Sequence, residues 1–259
     1  MQLPVTSYAE YIIKSKNLHR IHSPFVFSLY ENVIKNKRHY YIFDAIEQRR
    51  KELLSSKVPV LSADPGAGSN TRKAGTVGAI ASRSLLSPAW GRMLFRLVIH
   101  NKYKNMLELG TSLGISGAYL AAAAADGKLT TIEGRPEIAK EAQKTFEKLR
   151  IKNSWSITGL FADRLNETLN KTGKLDLVYI DGDHRGEALK HYVQTILPFL
   201  ADEAVVIIDD IRWSNSMWKA WKELRDCKEF EVSIDLLRMG LLFKHQGQSP
   251  ENFTLYPPV

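Results

Sequence analysis

From residue 105 onwards, short apolar runs alternate with stretches of helical periodicity, and no other feature of the sequence constrains the fold as much. Five candidate strands lie at 105–109, 129–132, 155–158, 175–180 and 204–208. Several of them are nearly unbroken apolar runs, which is the composition of strands buried on both faces. The stretches between them carry a helical stripe, as Ile138, Ala142 and Phe146 illustrate. Successive strand–helix units predict an open parallel sheet with helices on both faces.

Two further candidate strands, at 230–235 and 240–243, follow a helical stretch that contains Trp218 and Trp221. The link between these strands is short, so we expect an antiparallel hairpin that closes the sheet. The two tryptophans are three residues apart on one helix, which favours a place in the core.

The first hundred residues have a mainly helical pattern. Ser23-Pro24 and Ser87-Pro88 each read as a helix N-cap followed by proline at the first helical position. Between them, the stretch 55–75 is rich in Ser, Gly, Ala and Pro, which predicts a long loop. Its glycine-rich segment 63–69 can bind an anion through backbone N–H groups as part of a lid. We therefore expect a helical N-terminal region over 1–86, a substrate cap or lid, and a main domain over 87–259.

Composition sets the remaining bounds. The chain has 259 residues, of which 44% are hydrophobic, values that suit a globular protein with a full core. No apolar run approaches the ~20 residues of a membrane helix, and the first residues lack the order of a secretory signal. Cys227 is the only cysteine, which excludes disulfide frameworks and cysteine zinc sites within one chain. We expect a reducing, cytoplasmic setting and no membrane partner.

The charge is unevenly distributed along the chain. Residues 1–105 carry 17 Lys+Arg against 6 Asp+Glu, whereas residues 106–259 carry 19 against 22. A basic N-terminal part can attract an anionic small-molecule acceptor, nucleic acid or an acidic carrier protein. The alternative is a solvated basic helical surface, and the sequence leaves both open.

The stretch 106–117, MLELGTSLGISG, lies where the first parallel strand turns into its helix. Gly110 and Gly114 let the backbone pass close to a ligand, and the helix start offers free N–H groups. The pattern is E-x-G-x-x-x-G rather than the G-x-G-x-x-G of dinucleotide sites. Glu108 disfavours a pyrophosphate but suits a cationic sulfonium ligand with an amino group. A βα turn without a ligand is the alternative.

A second acid, Glu133, ends the second strand 25 residues after Glu108. A carboxylate at this position can accept both ribose hydroxyls of an adenosyl group, as acids do in dinucleotide sites. On its own Glu133 would be a helix-start acid. Together with the glycine-containing turn, it predicts an adenosyl ligand.

A third cluster is acidic. Asp181 and Asp183 follow the fourth strand, and Asp209 and Asp210 follow the fifth. Neighbouring strands lie about 4.8 Å apart, so Asp181 and Asp209 should converge at the edge where ligands bind. Two carboxylates about 4 Å apart repel by roughly 4 kcal/mol at an effective dielectric of 20, which calls for a proton, a basic side chain or a hard cation such as Mg²⁺. Arg212 is the nearby basic alternative to a cation, and if it folds back onto the acids no metal is required.

These residues carry a resemblance. The stretch from about Ser87 to Phe243 resembles the class I S-adenosylmethionine-dependent methyltransferases, and within them the small-molecule O-methyltransferases related to the catechol and caffeoyl-CoA enzymes. The segments that carry it are LELGTSLGISGAYLA, TTIEGRPE, ITGLFADRL, LDLVYIDGDH and AVVIIDDIRW. With it we expect a Rossmann-like seven-stranded sheet, ordered 3-2-1-4-5-7-6 from the strand at 105–109, with the seventh strand antiparallel.

The resemblance implies a cofactor site. Glu108, Gly110 and Ser116 would line the methionine part of S-adenosylmethionine, and Glu133 would hold its ribose. Phe161, Ala162 and Asp163 would border the adenine, although Asp163 can instead be a helix N-cap. The full set of expected cofactor contacts is Glu108, Gly110, Thr111, Gly114, Ser116, Glu133, Phe161, Ala162, Asp163 and Asp181.

The resemblance also implies a metal triad of Asp181, Asp209 and Asp210, which would hold Mg²⁺. Here the sequence departs from the caffeoyl-CoA group, because Asp-Gly-Asp-His stands where that group has Asp-Ala-Asp-Lys. Metal dependence therefore stays open, and hydrogen bonding without a metal is the alternative. His184 is the candidate base, with Asp181 beside it in the catalytic set. A lone histidine is more often structural, and Trp213 can wall the substrate pocket.

The function that these features favour is methylation of a small-molecule hydroxyl. Methylation of RNA or DNA is an alternative prompted by the basic N-terminal part, although no Asn/Asp-Pro-Pro-Tyr/Phe motif follows the fourth strand. A non-catalytic protein that binds adenosylmethionine and a nicotinamide-dependent dehydrogenase are further alternatives. The sequence leaves a homodimer open.

Overall fold

The computed structural model describes residues 5–15, 21–64, 69–245 and 247–258. The helices are α1 (Val5–Lys14), α2 (Pro24–Leu29, continued by a π-helical turn over Tyr30–Ile34), α3 (Ile42–Ser55), α4 (Val77–Ser84), α5 (Pro88–Asn101), α6 (Ile115–Ala123), α7 (Pro136–Lys148), α8 (Phe161–Thr172), α9 (Gly186–Ile196, followed by a 3-10 turn over Leu197–Phe199) and α10 (Asn215–Arg225). The strands are β1 (Pro59–Asp64), β2 (Ser69–Thr76), β3 (Asn105–Leu109), β4 (Lys128–Glu133), β5 (Ser154–Thr158), β6 (Leu175–Ile180), β7 (Leu200–Ile208), β8 (Val232–Asp235), β9 (Gly240–Phe243) and β10 (Glu251–Thr254).

The central sheet has eight strands in the order β5-β4-β3-β6-β7-β9-β8-β10. From β3 to β7 the paired strands are parallel, and β9 is antiparallel to both β7 and β8. Numbered from β3, the first seven strands follow 3-2-1-4-5-7-6 across the sheet. The α/β class expected from the alternating pattern is thus the observed one.

The eighth strand corrects the expectation of seven. β10 pairs in parallel with β8, placing Phe253 opposite Ile234. Only Phe253 is buried among the four residues of β10, while Glu251 and Asn252 are exposed. A strand with one buried side chain at a sheet edge has no apolar run, and for this reason the sequence pattern did not mark it.

Helices cover both faces of the sheet, as expected for strands whose apolar side chains point to both faces. On one face, α2, α5 and α6 pack against side chains such as Met106, Leu177 and Val205. On the other face, α8, α9 and α10 pack against Leu107, Val178 and neighbouring residues. Trp218 and Trp221 of α10 are buried, which confirms their expected place in the core. Among the described residues, no helix combines the length and apolar character that crossing a membrane requires.

The stretch expected as a long loop forms a hairpin instead. β1 and β2 pair antiparallel, with Pro59 opposite Thr76, and residues 65–68 of the glycine-rich segment 63–69 lie outside the described residues. Small and polar residues suggested a loop, but the pairing depends on backbone hydrogen bonds and on the burial of Val60 and Val77 at its base. The anion-binding role of segment 63–69 stays a prediction.

The N-terminal region packs directly on the main domain. Phe43 and Ile46 of α3, with Val60 and Val77, share a core cluster with Tyr119 of α6 and Phe146 of α7. Ser23 caps α2 by accepting a hydrogen bond from the N–H of Val26, as its sequence predicted. The division at residue 86 and the role of 1–86 as a cap or lid stay predictions.

Candidate active site

Four parallel strands end at one edge of the sheet, and the candidate residues lie there. Glu108 precedes the end of β3, Glu133 is the last residue of β4, Asp181 follows β6, and Asp209 follows β7. Because β3 lies between β4 and β6, the turn after β3 lies between the two acids that follow its neighbours. This edge is the place where open α/β sheets bind ligands.

Glu108 is fully buried at the centre of this edge. Its Oε1 accepts a hydrogen bond from the Ser116 hydroxyl at 2.6 Å, and its Oε2 accepts one from the Thr131 hydroxyl at 2.6 Å. Burial raises the pKa of Glu108 to about 7, although the two hydroxyl groups act in the opposite direction. Thr111 joins the same network through a 2.5 Å contact with Thr131.

The turn after β3 needs glycine at two positions. Gly110 has φ = 106°, and a Cβ on it would overlap the carbonyl oxygen of Asp181. Gly114 has φ = 81° and is the N-cap residue of α6. The backbone therefore runs close to the loop after β6 and then presents the N–H groups of the first turn of α6.

Glu133 is buried and already holds this turn in place. Its Oε2 accepts a hydrogen bond from the Ser112 N–H at 2.9 Å, and its Oε1 accepts from the backbone N–H and the Nε of Arg135, both at 3.1 Å. The Ser112 hydroxyl contacts that of Ser84 at 2.9 Å, which brings the end of α4 to the same edge. A carboxylate can accept about four hydrogen bonds, so Glu133 retains one acceptor position.

The residues expected around the adenine open α8. The Phe161 ring packs edge-on against the Tyr192 ring at 5.7 Å and borders Gly182 in the loop after β6. Ala162 and Asp163 are exposed in the first turn of the helix. The N-cap residue of α8 is Leu160, so the alternative of Asp163 as an N-cap is wrong.

The acid group of Asp181, Asp209 and Asp210 does converge, but its basic partner is Arg238. The Nε of Arg238 donates to Asp209 Oδ1 at 2.7 Å, and its Nη2 donates to Asp209 Oδ2 at 2.8 Å. Asp209 Oδ1 also accepts from the Asp210 N–H at 2.8 Å, and Oδ2 accepts from the Tyr179 hydroxyl at 3.0 Å. Four donors thus occupy the four acceptor positions of one fully buried carboxylate.

The alternative that Arg212 folds back onto these acids is wrong. Arg212 forms a buried bidentate pair with Asp235, at 2.8 and 2.6 Å, and stacks 4.2 Å from the Trp218 ring. Asp235 ends β8, on the far side of β9 from β7. Sequence proximity suggested Arg212, whereas the turn between β8 and β9 brings Arg238 to Asp209 from 29 residues away.

Among the side chains whose potential metal-ligand atoms lie close together, the structure has His184 where the sequence predicted Asp209. One atom each from Asp181, His184 and Asp210 lie within 4.8 Å of one another. Burial and the neighbouring Asp209 and Asp210 raise the pKa of Asp181 well above its usual value, and burial with Asp209 raises that of Asp210. The group of ligand atoms at this spacing therefore contains His184 and not Asp209, and the metal role of Asp181, Asp209 and Asp210 stays a prediction.

His184 and Trp213 lie side by side at the open end of the edge. Their ring centroids are 5.1 Å apart, and 45% of Trp213 is exposed. Asp183 belongs to a separate contact, since it binds Arg185 and the Tyr192 hydroxyl. Burial would raise the pKa of Asp183, but these donors hold it below its usual value.

Arg238 is the site residue that the sequence analysis missed. It lies in the short link 236–239, to which the sequence analysis gave only the role of a hairpin turn. Its carbonyl oxygen accepts a hydrogen bond from the Ile211 N–H at 3.0 Å, which fixes the turn against the segment after β7. The sequence signal that could have found Arg238 is the predicted hairpin of β8 and β9, because its turn lies at the same edge of the sheet as the acids.

Comparison with known proteins supports the resemblance found in the sequence. Residues 107–211 match a protein-family model described as a methyltransferase domain. A catechol O-methyltransferase of Niastella koreensis is 30% identical over 129 residues, which cover 49% of this chain and 58% of that protein. The chain spans about half the length of the curated relatives it matches.

Solved structures share the fold. An O-methyltransferase from Bacillus cereus in complex with S-adenosylhomocysteine (SAH) has a TM-score of 0.59 at 19% identity, covering 80% of this chain and 93% of that one. The O-methyltransferase TomG from Streptomyces achromogenes, in complex with S-adenosylmethionine, has a TM-score of 0.59 at 18% identity, covering 80% and 92%. The chain therefore has the Rossmann-like α/β fold of these two structures.

Proposed function

We propose that this chain is an S-adenosylmethionine-dependent O-methyltransferase that acts on a small-molecule hydroxyl. The observation that carries the proposal is the pair of buried acids, Glu108 and Glu133, on either side of a glycine turn at the ligand edge. Glu133 retains an acceptor position for a ribose hydroxyl, and the first turn of α6 presents N–H groups toward a carboxylate. The adenosyl-bound relatives and the catechol enzyme of Niastella support the same ligand and the same kind of acceptor.

The reaction needs positioning and the management of one proton. The acceptor oxygen attacks the methyl carbon, the carbon–sulfur bond breaks, and its electron pair stays on sulfur to give SAH. His184 takes the hydroxyl proton on a ring nitrogen, with Asp210 close enough to stabilise the imidazolium. Trp213 provides an aromatic wall beside the histidine. The enzyme gains most from holding the two reactants in line.

The residues expected from the sequence to contact the cofactor keep that role in this proposal. Ser116 and Thr111 lie in the network of Glu108, and Asp181 lies opposite Gly110. Phe161 offers a ring for the adenine, and the acceptor we favour is anionic because the N-terminal part is basic. No divalent cation is assigned to Asp181, Asp209 and Asp210, since Asp209 has its acceptor positions filled.

Transfer of a labelled methyl group tests the function directly. The purified chain is incubated with methyl-labelled S-adenosylmethionine and a panel of phenolic, sugar and acyl hydroxyl acceptors. We expect label in one acceptor class and a 10²–10⁴-fold slower rate in His184→Asn, the usual contribution of a general base. Label transferred to RNA or DNA, with none in the small acceptors, would contradict the proposal.

A further inference from the structure

Asp209 has no vacant position for a metal ion. Both of its carboxylate oxygens accept two hydrogen bonds each, and the side chain has no exposed surface. A metal ligand must offer a lone pair, and a carboxylate has about four in all. The metal triad that the resemblance implies therefore does not fit this chain.

Arg238 supplies a positive charge at the same place. Its Nε lies 2.7 Å from Asp209 Oδ1 and 3.4 Å from Asp210 Oδ1, so one guanidinium spans two of the three acids. The bidentate geometry fits the planar fork of arginine, and the turn carrying Arg238 is bonded to the Ile211 N–H. About a third of the side chain, 35%, stays exposed at the edge where an acceptor would lie.

We propose that Arg238 replaces the divalent cation of the metal-dependent O-methyltransferases, so that this chain needs no metal ion for methyl transfer. The guanidinium relieves the repulsion within the acid group and keeps a fixed positive charge beside the acceptor oxygen. This inference rests on the proposed function for its catalytic meaning, but the claim about metal binding concerns the apoprotein alone.

The test removes the Arg238 guanidinium by mutation and asks whether a metal ion can then bind in its place. Arg238→Met leaves Asp209 buried without its cation, so the variant should unfold at a lower temperature than the wild type. Mn²⁺ should then occupy the freed carboxylate with its neighbours and raise the melting temperature by at least about 5 °C at saturation. The wild type should show no such rise and no bound Mn²⁺ by paramagnetic resonance at submillimolar metal.

Arg212→Met is the matched control. It also removes an arginine from a bidentate pair with a buried carboxylate, but its partner Asp235 lies outside the acid group. We expect a similar loss of melting temperature without recovery in Mn²⁺. Recovery of both variants alike would overturn the proposal, because it would show that Mn²⁺ stabilises the chain elsewhere.

Two measurements on the wild type keep the proposal testable if Arg238→Met does not fold. Submillimolar Mn²⁺ binding that is lost in Asp181→Asn would overturn it, whereas the absence of binding supports it. Methyl transfer that survives EDTA supports it, and transfer that stops with EDTA and returns with Mg²⁺ overturns it. SAH binding, measured without metal, reports separately on the proposed function.

Discussion

At the scale of single residues, Glu108 combines two roles that conflict energetically. It lies at the sheet edge where we propose that a sulfonium cofactor binds, which suits an acid, yet it is completely buried and accepts hydrogen bonds from the hydroxyl groups of Ser116 and Thr131. Burial disfavours the charged form, and this raises its pKa to about 7. The apoprotein therefore carries a destabilising acid in the neutral pH range.

Glu108→Gln tests this conflict. The unfolded acid titrates near 4.5 and the folded one near 7, so the folded wild type holds a proton that the unfolded chain releases. Stability from this proton is complete below pH 4.5 and is lost as the pH rises through 7, by about 3 kcal/mol on the order-of-magnitude scale of such shifts. In urea unfolding at pH 5 and pH 8, the free energy of unfolding of the variant, relative to that of the wild type, should be higher at pH 8 than at pH 5. Parallel pH profiles would contradict the assignment.

At the scale of elements, the connection between β3 and α6 depends on backbone that only glycine adopts freely. Gly110 has both a positive φ and a carbonyl oxygen where its Cβ would lie. Gly173, after α8, also has a positive φ, of 72°, but nothing lies within 4 Å of its added Cβ. Substitutions at the two glycines therefore distinguish the cost of backbone strain alone from the cost of strain together with steric overlap.

Alanine at these two positions should have different consequences. Gly173→Ala should cost about 1–3 kcal/mol, because φ = 72° with ψ = −158° is a backbone region that essentially only glycine adopts. Gly110→Ala should cost that amount plus about 1–3 kcal/mol of overlap with the Asp181 backbone. Chemical denaturation measures both, and equal losses would show that the close approach at Gly110 is relaxed in solution.

The elements also show what could be predicted from the sequence. β3, β4 and β6 to β9 were found because each buries most of its residues, so that the apolar run and the strand coincide, whereas β5 was found although none of its residues is buried. β10 was missed because only one of its four residues is buried, and the hairpin of β1 and β2 was missed because its small and polar residues favoured a loop. Glu108 and Glu133 were placed correctly at strand ends, since strand order fixes those ends. Arg238, the partner of Asp209, was not predicted, because its position depends on the path of the turn between β8 and β9, which is distant in sequence.

At the scale of the whole molecule, the two ends of the chain close on each other. The Tyr11 hydroxyl of α1 donates to the carbonyl oxygen of Leu255 at 2.7 Å, and the Tyr11 ring lies 5.3 Å from the guanidinium of Arg212. Burial raises the pKa of Tyr11 to about 12, so the phenol keeps its proton and remains a donor. These contacts join α1 to the segment after β10 and to the side chain of Arg212.

The central claim is that this edge binds an adenosyl ligand, and calorimetric titration of the wild type with SAH tests it most directly. We predict binding with a dissociation constant of micromolar scale, weakened by about 1.5–3 kcal/mol in Glu133→Ala, the range for hydrogen bonds to a charged group. Glu137→Ala, which removes an exposed acid from the start of α7, should bind as the wild type does. A folded wild type that releases no heat with SAH, or equal affinities for the two variants, would contradict the account.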